Sequence, residues 1–193
     1  MVNAVILAGG ESRRFGTDKA FAKVRGSTII ESLLFLLSPL FPKIIVVTNH
    51  PDKYKDFPVE VVTDKIKGRG PLVGIYSGLS ASDTDRNFIV ACDMPLLNPR
   101  LIQYIASIPS GKVVVPRING RLEPLHAVYA KGCIPAIENQ IAAGDLKIQN
   151  FFSRVDAHYV EEDEVKRFDP TLSSFLNINL QKDLKRIEAC LRT

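Results

Sequence analysis

Residues 4–20 are AVILAGGESRRFGTDKA, a short apolar run that passes into paired glycines and then into mixed charge. The run has no polar alternation, which is typical of a strand covered on both faces. Glycines directly after a strand permit the positive φ of a tight turn toward a helix. The segment therefore predicts the first strand of a parallel α/β sheet with a polar, glycine-containing loop at its carboxyl end.

The composition predicts one ordinary domain. With 193 residues, of which 46% are hydrophobic, the chain can bury a single substantial core. The net charge of +4 does not by itself indicate nucleic acid, and no nucleic-acid partner is expected. Residues 11–25, however, carry five basic and two acidic side chains, and this local excess favours a small anionic ligand.

Cysteine usage and hydropathy indicate a cytoplasmic protein. Cys92, Cys133 and Cys190 are far apart and show no C-x-x-C spacing, which argues against a disulfide framework and a zinc site. The longest apolar run is broken by Ser38 and Pro39, so neither a membrane span nor a leader segment is expected. The three histidines show no metal-ligand spacing and are expected to be ordinary surface or core residues.

Strand-like and helical patterns alternate along the first 115 residues. Thr28 and Glu31 have capping-box spacing at the start of one helical pattern, and Pro71 begins another. Such alternation predicts a doubly wound, mostly parallel sheet with helices on both faces. The apolar runs of strand length lie at residues 2–7, 43–47, 59–62, 88–91 and 112–115.

The pattern changes after Val115, where Asn119-Gly120 separates two strand-like runs. An Asn-Gly pair in this position indicates a hairpin, although the flanking prolines leave its register open. No linker divides the chain, so we expect a single domain, residues 1–193, that carries a small hairpin lobe. Helices are predicted at residues 133–143, 147–152 and 180–191.

Three strand-end loops are expected to meet at one edge of the sheet, because ligands of open parallel sheets bind outside the carboxyl ends of the strands. These loops contain Arg13, Arg14, Lys19, Asp64 and Asp93. Cations and exposed backbone N–H groups suit polyphosphate, and one or two carboxylates suit Mg²⁺ that phosphates also coordinate. The glycine spacing fits neither a Walker A loop nor a G-x-G-x-x-G fingerprint. The alternative to a phosphate-binding loop at residues 9–19 is a simple strand-to-helix turn in which the arginines are solvated.

Residues 7–19, LAGGESRRFGTDK, resemble the L-A-G-G-x-S-x-R-M-G-x-D-K signature of molybdenum cofactor guanylyltransferases, with Phe15 where the family usually has methionine. The resemblance covers nearly the whole chain and implies a Rossmann-like nucleotidyltransferase fold. After Asn177 and Ile178 the family usually continues with Asn-Thr-Pro, whereas this sequence continues with NLQKDL at 179–184. The other similar segments follow in family order: GPLVGI at 70–75, CDMPLL at 92–97, LEPLHAVY at 122–129 and FLNINLQKDL at 175–184.

This resemblance implies a Mg²⁺-dependent transfer of GMP from GTP to the phosphate of molybdopterin-bound molybdenum cofactor, with release of pyrophosphate. It implies that residues about 1–110 bind the nucleotide and residues about 111–193 bind the acceptor. Molybdoenzymes or cofactor-delivery proteins are further implied partners. The alternatives are a sister nucleotidyltransferase that uses CTP or another nucleotide on a different phosphorylated acceptor, and a nucleotide-binding module without catalysis.

The resemblance also assigns roles to residues. Catalysis falls to Arg13, Lys19 and Asp93, with Asp93 as the metal ligand. Arg121, Asn177 and Asn179 are assigned to acceptor binding. The alternative for Arg121 is a solvated hairpin residue, and the alternative for the two asparagines is that they only close a turn. Nucleotide binding falls to Leu7, Ala8, Gly9, Gly10, Lys19, Asp64, Gly70, Pro71, Leu72 and Asp93. The attacking phosphate is already anionic, so no general base is required.

Overall fold

The structure, a computed structural model, describes residues 1–9, 19–24, 26–63, 70–178 and Asp183. The strands are β1 Val2–Leu7, β2 Lys23–Val24, β3 Ser27–Thr28, β4 Ile44–Val47, β5 Glu60–Val62, β6 Arg86–Ala91, β7 Val113–Ile118, β8 Arg121–Leu122, β9 His126–Ala130 and β10 Ala157–Glu161. The α-helices are α1 Ile29–Leu37, α2 Pro71–Ala81, α3 Pro99–Ser107, α4 Ile134–Ala142, α5 Ile148–Phe151 and α6 Glu162–Lys166. Short 3₁₀ turns lie at Lys19–Phe21, Pro51–Tyr54, Lys131–Cys133, Phe152–Arg154 and Ser173–Phe175.

The main sheet has the strand order β10-β7-β9-β6-β1-β4-β5, with β8 attached to β7. Strand β1 pairs in parallel with both β4 and β6, and β4 pairs in parallel with β5. Leu7 is opposite Val47 on one side and Ala91 on the other, so the carboxyl ends of these strands share one edge. The order reverses between β1 and β6, and such a switch point is where open sheets bind ligands. The predicted doubly wound sheet is confirmed.

An antiparallel strand interrupts the parallel order beyond β6. Strand β9 lies between β6 and β7 and is antiparallel to both, with His126 opposite Val90. The amino end of β9 therefore lies beside the carboxyl end of β6. Strand β10 is parallel to β7 and forms the edge.

The predicted hairpin is formed by β7 and β8. Asn119 and Gly120 both have positive φ, of 49° and 72°, as a type I′ turn requires. Ile118 is opposite Arg121, which fixes the register that the sequence leaves open. Through β7 the hairpin is continuous with the main sheet, and β8 is its small added arm.

The core has one layer on each face of the sheet. Along β1, Ala4 and Ile6 pack in the layer that contains α1 and α3, whereas Val5 and Leu7 pack in the layer that contains α2 and α4. Ala4, Val5 and Ile6 are fully buried. Burial on both faces explains why this strand is continuously apolar. The larger of these side chains, Val5 and Ile6, each contribute about 1.5–3 kcal/mol relative to an exposed one.

The helix boundaries follow local signals. Thr28 caps α1 in a complete capping box, since the Thr28 N–H donates to the Glu31 carboxylate at 2.7 Å and the Glu31 N–H donates to the Thr28 hydroxyl at 3.3 Å. Helix α2 begins at Pro71 after Gly70, whose φ of 137° favours glycine. A Cβ on Gly78 would overlap Val5 Cγ1, so this glycine lets α2 lie close to β1.

The predictions for the later helices are confirmed where the structure describes them. Helix α4 corresponds to the predicted helix at 133–143, and α5 to that at 147–152. The helix predicted at 180–191 lies outside the described residues. Within the described parts of the chain, no helix is both long enough and apolar enough to cross a bilayer.

Candidate active site

Lys19 and Asp93 meet at the switch point of the sheet. Asp93 lies two residues after β6, and Lys19 begins the 3₁₀ turn Lys19–Phe21, which is the next described element after β1. The Lys19 Nζ atom donates to Asp93 Oδ2 at 3.2 Å, and the two side chains are 20% and 23% exposed. Partial burial weakens solvent screening of this ion pair, yet both groups remain accessible to a ligand. The sequence prediction that these two residues share one edge is confirmed.

The loop that carries Asp93 is fixed by backbone hydrogen bonds. The Cys92 N–H donates to the Leu7 carbonyl at 3.1 Å, which ties the loop to β1. The Ile178 N–H donates to the Asp93 carbonyl at 2.8 Å, which connects the loop to the C-terminal segment, residues 171–178. Met94 is 2% exposed and anchors the loop in the core. A charged group on such a support is held in place before a ligand arrives.

Helix α2 directs its N-terminus to the same edge. A Cβ on Gly74 would contact Leu7, near the end of β1, whereas one on Gly78 would contact Val5, nearer its start. The helix therefore runs opposite to β1, and Pro71 lies toward the carboxyl edge. The first N–H groups of a helix and its dipole favour an anion at this position.

The predicted nucleotide residues differ in accessibility. Leu7 and Ala8 are only 8% and 6% exposed, whereas Gly9 is exposed, and among the described residues no atom lies within 4 Å of where a Cβ on Gly9 would be. Gly70 and Pro71 are exposed. Leu72 is fully buried in the core layer beneath α2. Gly10, Arg13, Arg14, Asp64 and Asn179 lie outside the described residues, and their roles stay predictions.

A cavity of about 410 Å³ lies between the hairpin and the C-terminal segment. Arg121 lines it, and Asn177 is exposed directly after the lining residue Leu176. Glu123, which the sequence analysis did not single out, also lines this cavity. Burial raises the pKa of the Glu123 carboxyl above its ordinary value, and the charge of Arg121 acts in the opposite direction. The sequence contains one signal for Glu123: it lies two residues after Arg121, and this spacing puts both side chains on the same side of an extended chain.

Asp169 organises one wall of the cavity. Its carboxylate accepts hydrogen bonds from the Ser174 N–H at 2.8 Å and from the N–H and hydroxyl of Ser173, both at 3.2 Å. The Thr171 hydroxyl donates to it at 3.2 Å. Burial alone would raise the pKa of Asp169, yet these hydrogen bonds together lower it below its ordinary value. The segment 171–176 is therefore held by a buried, ionised carboxylate.

His126 packs behind the same wall. The imidazole is fully buried, with its centroid 5.2 Å from that of Phe88 and 5.0 Å from that of Phe175. Among the described residues, neither ring nitrogen has a hydrogen-bond partner. Burial lowers the pKa of His126 to about 3, against the opposing charge of Asp169. His126 is thus a core residue, one of the two locations that the sequence left open, and with this pKa its side chain is neutral near pH 7.

A sequence model of the MobA-like NTP transferase domain matches residues 4–160, which run from β1 into β10 and include both Lys19 and Asp93. The chain belongs to the MobA-like NTP transferase family. It is therefore a member of a nucleotidyltransferase family, and the resemblance to molybdenum cofactor guanylyltransferases is confirmed at the level of family.

Individual relatives of this transferase domain agree. The chain is 38% identical to a molybdenum cofactor guanylyltransferase of Syntrophotalea carbinolica, over 95% of the chain and 89% of the relative. It is also 38% identical to a probable molybdenum cofactor guanylyltransferase of Natranaerobius thermophilus, over 96% of the chain and 94% of the relative. The crystal structure of molybdopterin-guanine dinucleotide biosynthesis protein A from Archaeoglobus fulgidus superposes over 100% of both chains, with a TM-score of 0.87 and 28% identity.

Proposed function

We propose that this protein transfers GMP from GTP to the phosphate of a molybdopterin-bound molybdenum cofactor and releases pyrophosphate. The observation that carries the proposal is the Lys19–Asp93 pair at the switch point of the sheet, in a chain 38% identical to a relative named for this reaction. Residues about 1–110 would bind the nucleotide and residues about 111–193 the acceptor. Molybdoenzymes or cofactor-delivery proteins would be its further partners in the cytoplasm.

The nucleotide is assigned to the side of the site formed by β1 and α2. A triphosphate needs cations and free N–H donors. Lys19 and the N-terminus of α2 would provide them, and Arg13 is predicted to add a further cation. Asp64 would contribute a polar contact to the nucleoside. The full set proposed to bind nucleotide is Leu7, Ala8, Gly9, Gly10, Lys19, Asp64, Gly70, Pro71, Leu72 and Asp93.

In this transfer the protein would align the two substrates and neutralise the charge of the phosphates. A phosphate oxygen of the acceptor attacks the α-phosphorus of GTP, and the bond between that phosphorus and the bridging oxygen of pyrophosphate breaks. No proton has to be removed from the attacking oxygen. Lys19 and Arg13 would hold the departing pyrophosphate and stabilise its charge.

Asp93 fits a magnesium ion that is shared with substrate. Among the described residues, no three His, Cys, Asp or Glu side chains cluster as a metal site. A single accessible carboxylate with phosphate oxygens and water is nevertheless the donor set that Mg²⁺ commonly has in nucleotide sites. When bound, the ion supplies positive charge that reduces repulsion between the acceptor phosphate and the nucleotide. Asp93 would hold the ion, and Lys19 would bind the phosphates.

The test is the Asp93→Asn variant, which keeps the size of the side chain and removes its charge. We expect turnover to fall by about 10² or more, the scale of losing one preorganised electrostatic stabiliser, while GTP affinity without metal changes little. Pyrophosphate release from GTP with molybdopterin-loaded acceptor is followed across a Mg²⁺ titration. Asp85→Asn, at the opposite end of β6, is the matched control and should leave the rate unchanged. A wild-type rate that does not depend on Mg²⁺, or a rate of the Asp93→Asn variant equal to the wild-type rate, would contradict the role of Asp93.

A nucleotide panel separates the alternatives. GTP should bind with preference over CTP, ATP and UTP. Equal affinity for CTP would favour a sister nucleotidyltransferase that acts on a different acceptor. Nucleotide binding without pyrophosphate release would favour a binding module.

A further inference from the structure

The cavity at the hairpin is joined to the Asp93 loop through both of its walls. One wall consists of β8 and the connection from β8 to β9, residues 121–125, and the Ala91 N–H donates to the Leu125 carbonyl at 3.2 Å. The other wall is the segment 171–176, which continues to Ile178, whose N–H donates to the Asp93 carbonyl. The volume of about 410 Å³ falls in the range of small-molecule sites, roughly 300–1,000 Å³. A ligand in this cavity would therefore lie beside the proposed reaction centre.

The chemistry of the cavity is an acceptor carboxylate between apolar walls. Among the described residues, the Glu123 carboxylate has no hydrogen-bond or ion-pair partner, although it is half-buried. Ile118, Phe175 and Leu176 supply apolar surface around it. A partly desolvated carboxylate without a donor is costly, and a ligand that brings two N–H groups removes that cost. The cavity therefore suits a flat, apolar-faced ring with adjacent N–H donors on one edge.

Resting on the proposed function, we propose that this cavity binds the pterin end of the acceptor, and that the Glu123 carboxylate accepts hydrogen bonds from the ring N3–H and the 2-amino group. Pterin and guanine share this 2-amino-4-oxopyrimidine edge, so either ring has the required chemistry. The pterin is the better assignment because the cavity lies on the β6–β9–β7 side of Asp93, whereas Lys19 and α2 lie on the β1 side. Arg121, on the same cavity, favours the ionised form of Glu123.

Free pterin is the probe, with lumazine as its analogue, because lumazine carries an oxygen in place of the 2-amino group. Fluorescence titration should show that wild type binds pterin more tightly than lumazine. Glu123→Gln should weaken pterin binding about tenfold or more, because a carboxylate that pairs with two donors is worth about this much in discrimination. It should weaken lumazine binding less, because lumazine keeps the N3–H but lacks the 2-amino group, and it should leave GTP binding unchanged. Glu138→Gln is the matched control, since Glu138 is an exposed carboxylate that pairs with Tyr76 far from the cavity.

Three results would overturn the assignment. They are undetectable pterin binding by wild type, equal pterin affinity in wild type and a folded Glu123→Gln variant, and a loss of GTP affinity as large as the loss for pterin. The last would place guanine in the cavity instead. Thermal unfolding of each variant shows whether it is folded. If pterin binding depends on Glu123 but the protein has no transferase activity, only the proposed function is contradicted. If the protein is an active transferase but its pterin binding does not depend on Glu123, only the assignment of this cavity is contradicted.

Discussion

Lowering the pH from about 7.5 to about 5 should destabilise the fold through His126. This imidazole is fully buried between Phe88 and Phe175, and burial lowers its pKa to about 3. In the unfolded chain a histidine has a pKa of about 6.5. Below that pH the unfolded state binds a proton that the folded state excludes, so the free energy of unfolding falls as the pH falls. The contribution is complete above pH 6.5 and is lost progressively toward pH 3.

The expected loss follows from the two pKa values. Each pH unit below the pKa of the unfolded state lowers the free energy of unfolding by about 1.4 kcal/mol. At about pH 5 the free energy of unfolding is therefore lower by about 2 kcal/mol. Other groups near His126 act differently. The lowered pKa of Asp169 removes stability only below the ordinary range of aspartate, and the raised pKa of Glu123 acts with the opposite sign, because its neutral form is the one favoured by burial.

The assay is urea unfolding followed by circular dichroism at the two pH values, for wild type and His126→Phe. Phenylalanine keeps an aromatic ring between Phe88 and Phe175 but cannot be protonated. The difference between the two pH dependences isolates His126, even if the variant differs in absolute stability. His50→Gln, at an exposed position, should retain the wild-type dependence. An equal loss of stability in wild type and His126→Phe would refute the reasoning.

Three further changes test the fold and the nucleotide side. Gly78→Ala should destabilise by about 1–3 kcal/mol in thermal unfolding, because the new methyl overlaps Val5, and a more stable variant would contradict the close approach of α2 to β1. Thr28→Ala removes the cap of α1 and should cost about 1 kcal/mol in urea unfolding, whereas no change would show that the capping box contributes little. Lys19→Ala should lower affinity for GTP much more than for guanosine in calorimetric titrations, and an equal loss for both would assign Lys19 to the fold.

The first half of the fold could be predicted because its signals are local. Strand β1 is buried on both faces and is therefore continuously apolar, and Thr28, Glu31 and Pro71 mark helix starts by their own chemistry. Strand β10 was not predicted. It is an edge strand of which Val160 is the buried residue, so it has no apolar run. Its pairing with β7 depends on tertiary contacts that a sequence pattern does not contain.

The site was predictable to the extent that it obeys the rule for parallel strands. Lys19 and Asp93 both follow parallel strands, and the structure brings them within 3.2 Å. Glu123 lies between the antiparallel strands β8 and β9, and the rule considers only residues that follow parallel strands. The hairpin register was also open, so the side of the chain on which Glu123 lies was not determined by the sequence.

The antiparallel strand β9 explains how Glu123 reaches the same edge as Asp93. In a purely parallel sheet the amino ends of all strands lie opposite the ligand edge. Because β9 is antiparallel to β6, with His126 opposite Val90, its amino end and the residues before it lie at the carboxyl end of β6. The inserted strand thus adds a carboxylate from a strand start to an edge otherwise formed by strand ends. For the proposed transfer, two binding regions would have to converge on one reacting phosphorus, and this reversal would place the second of them beside Asp93.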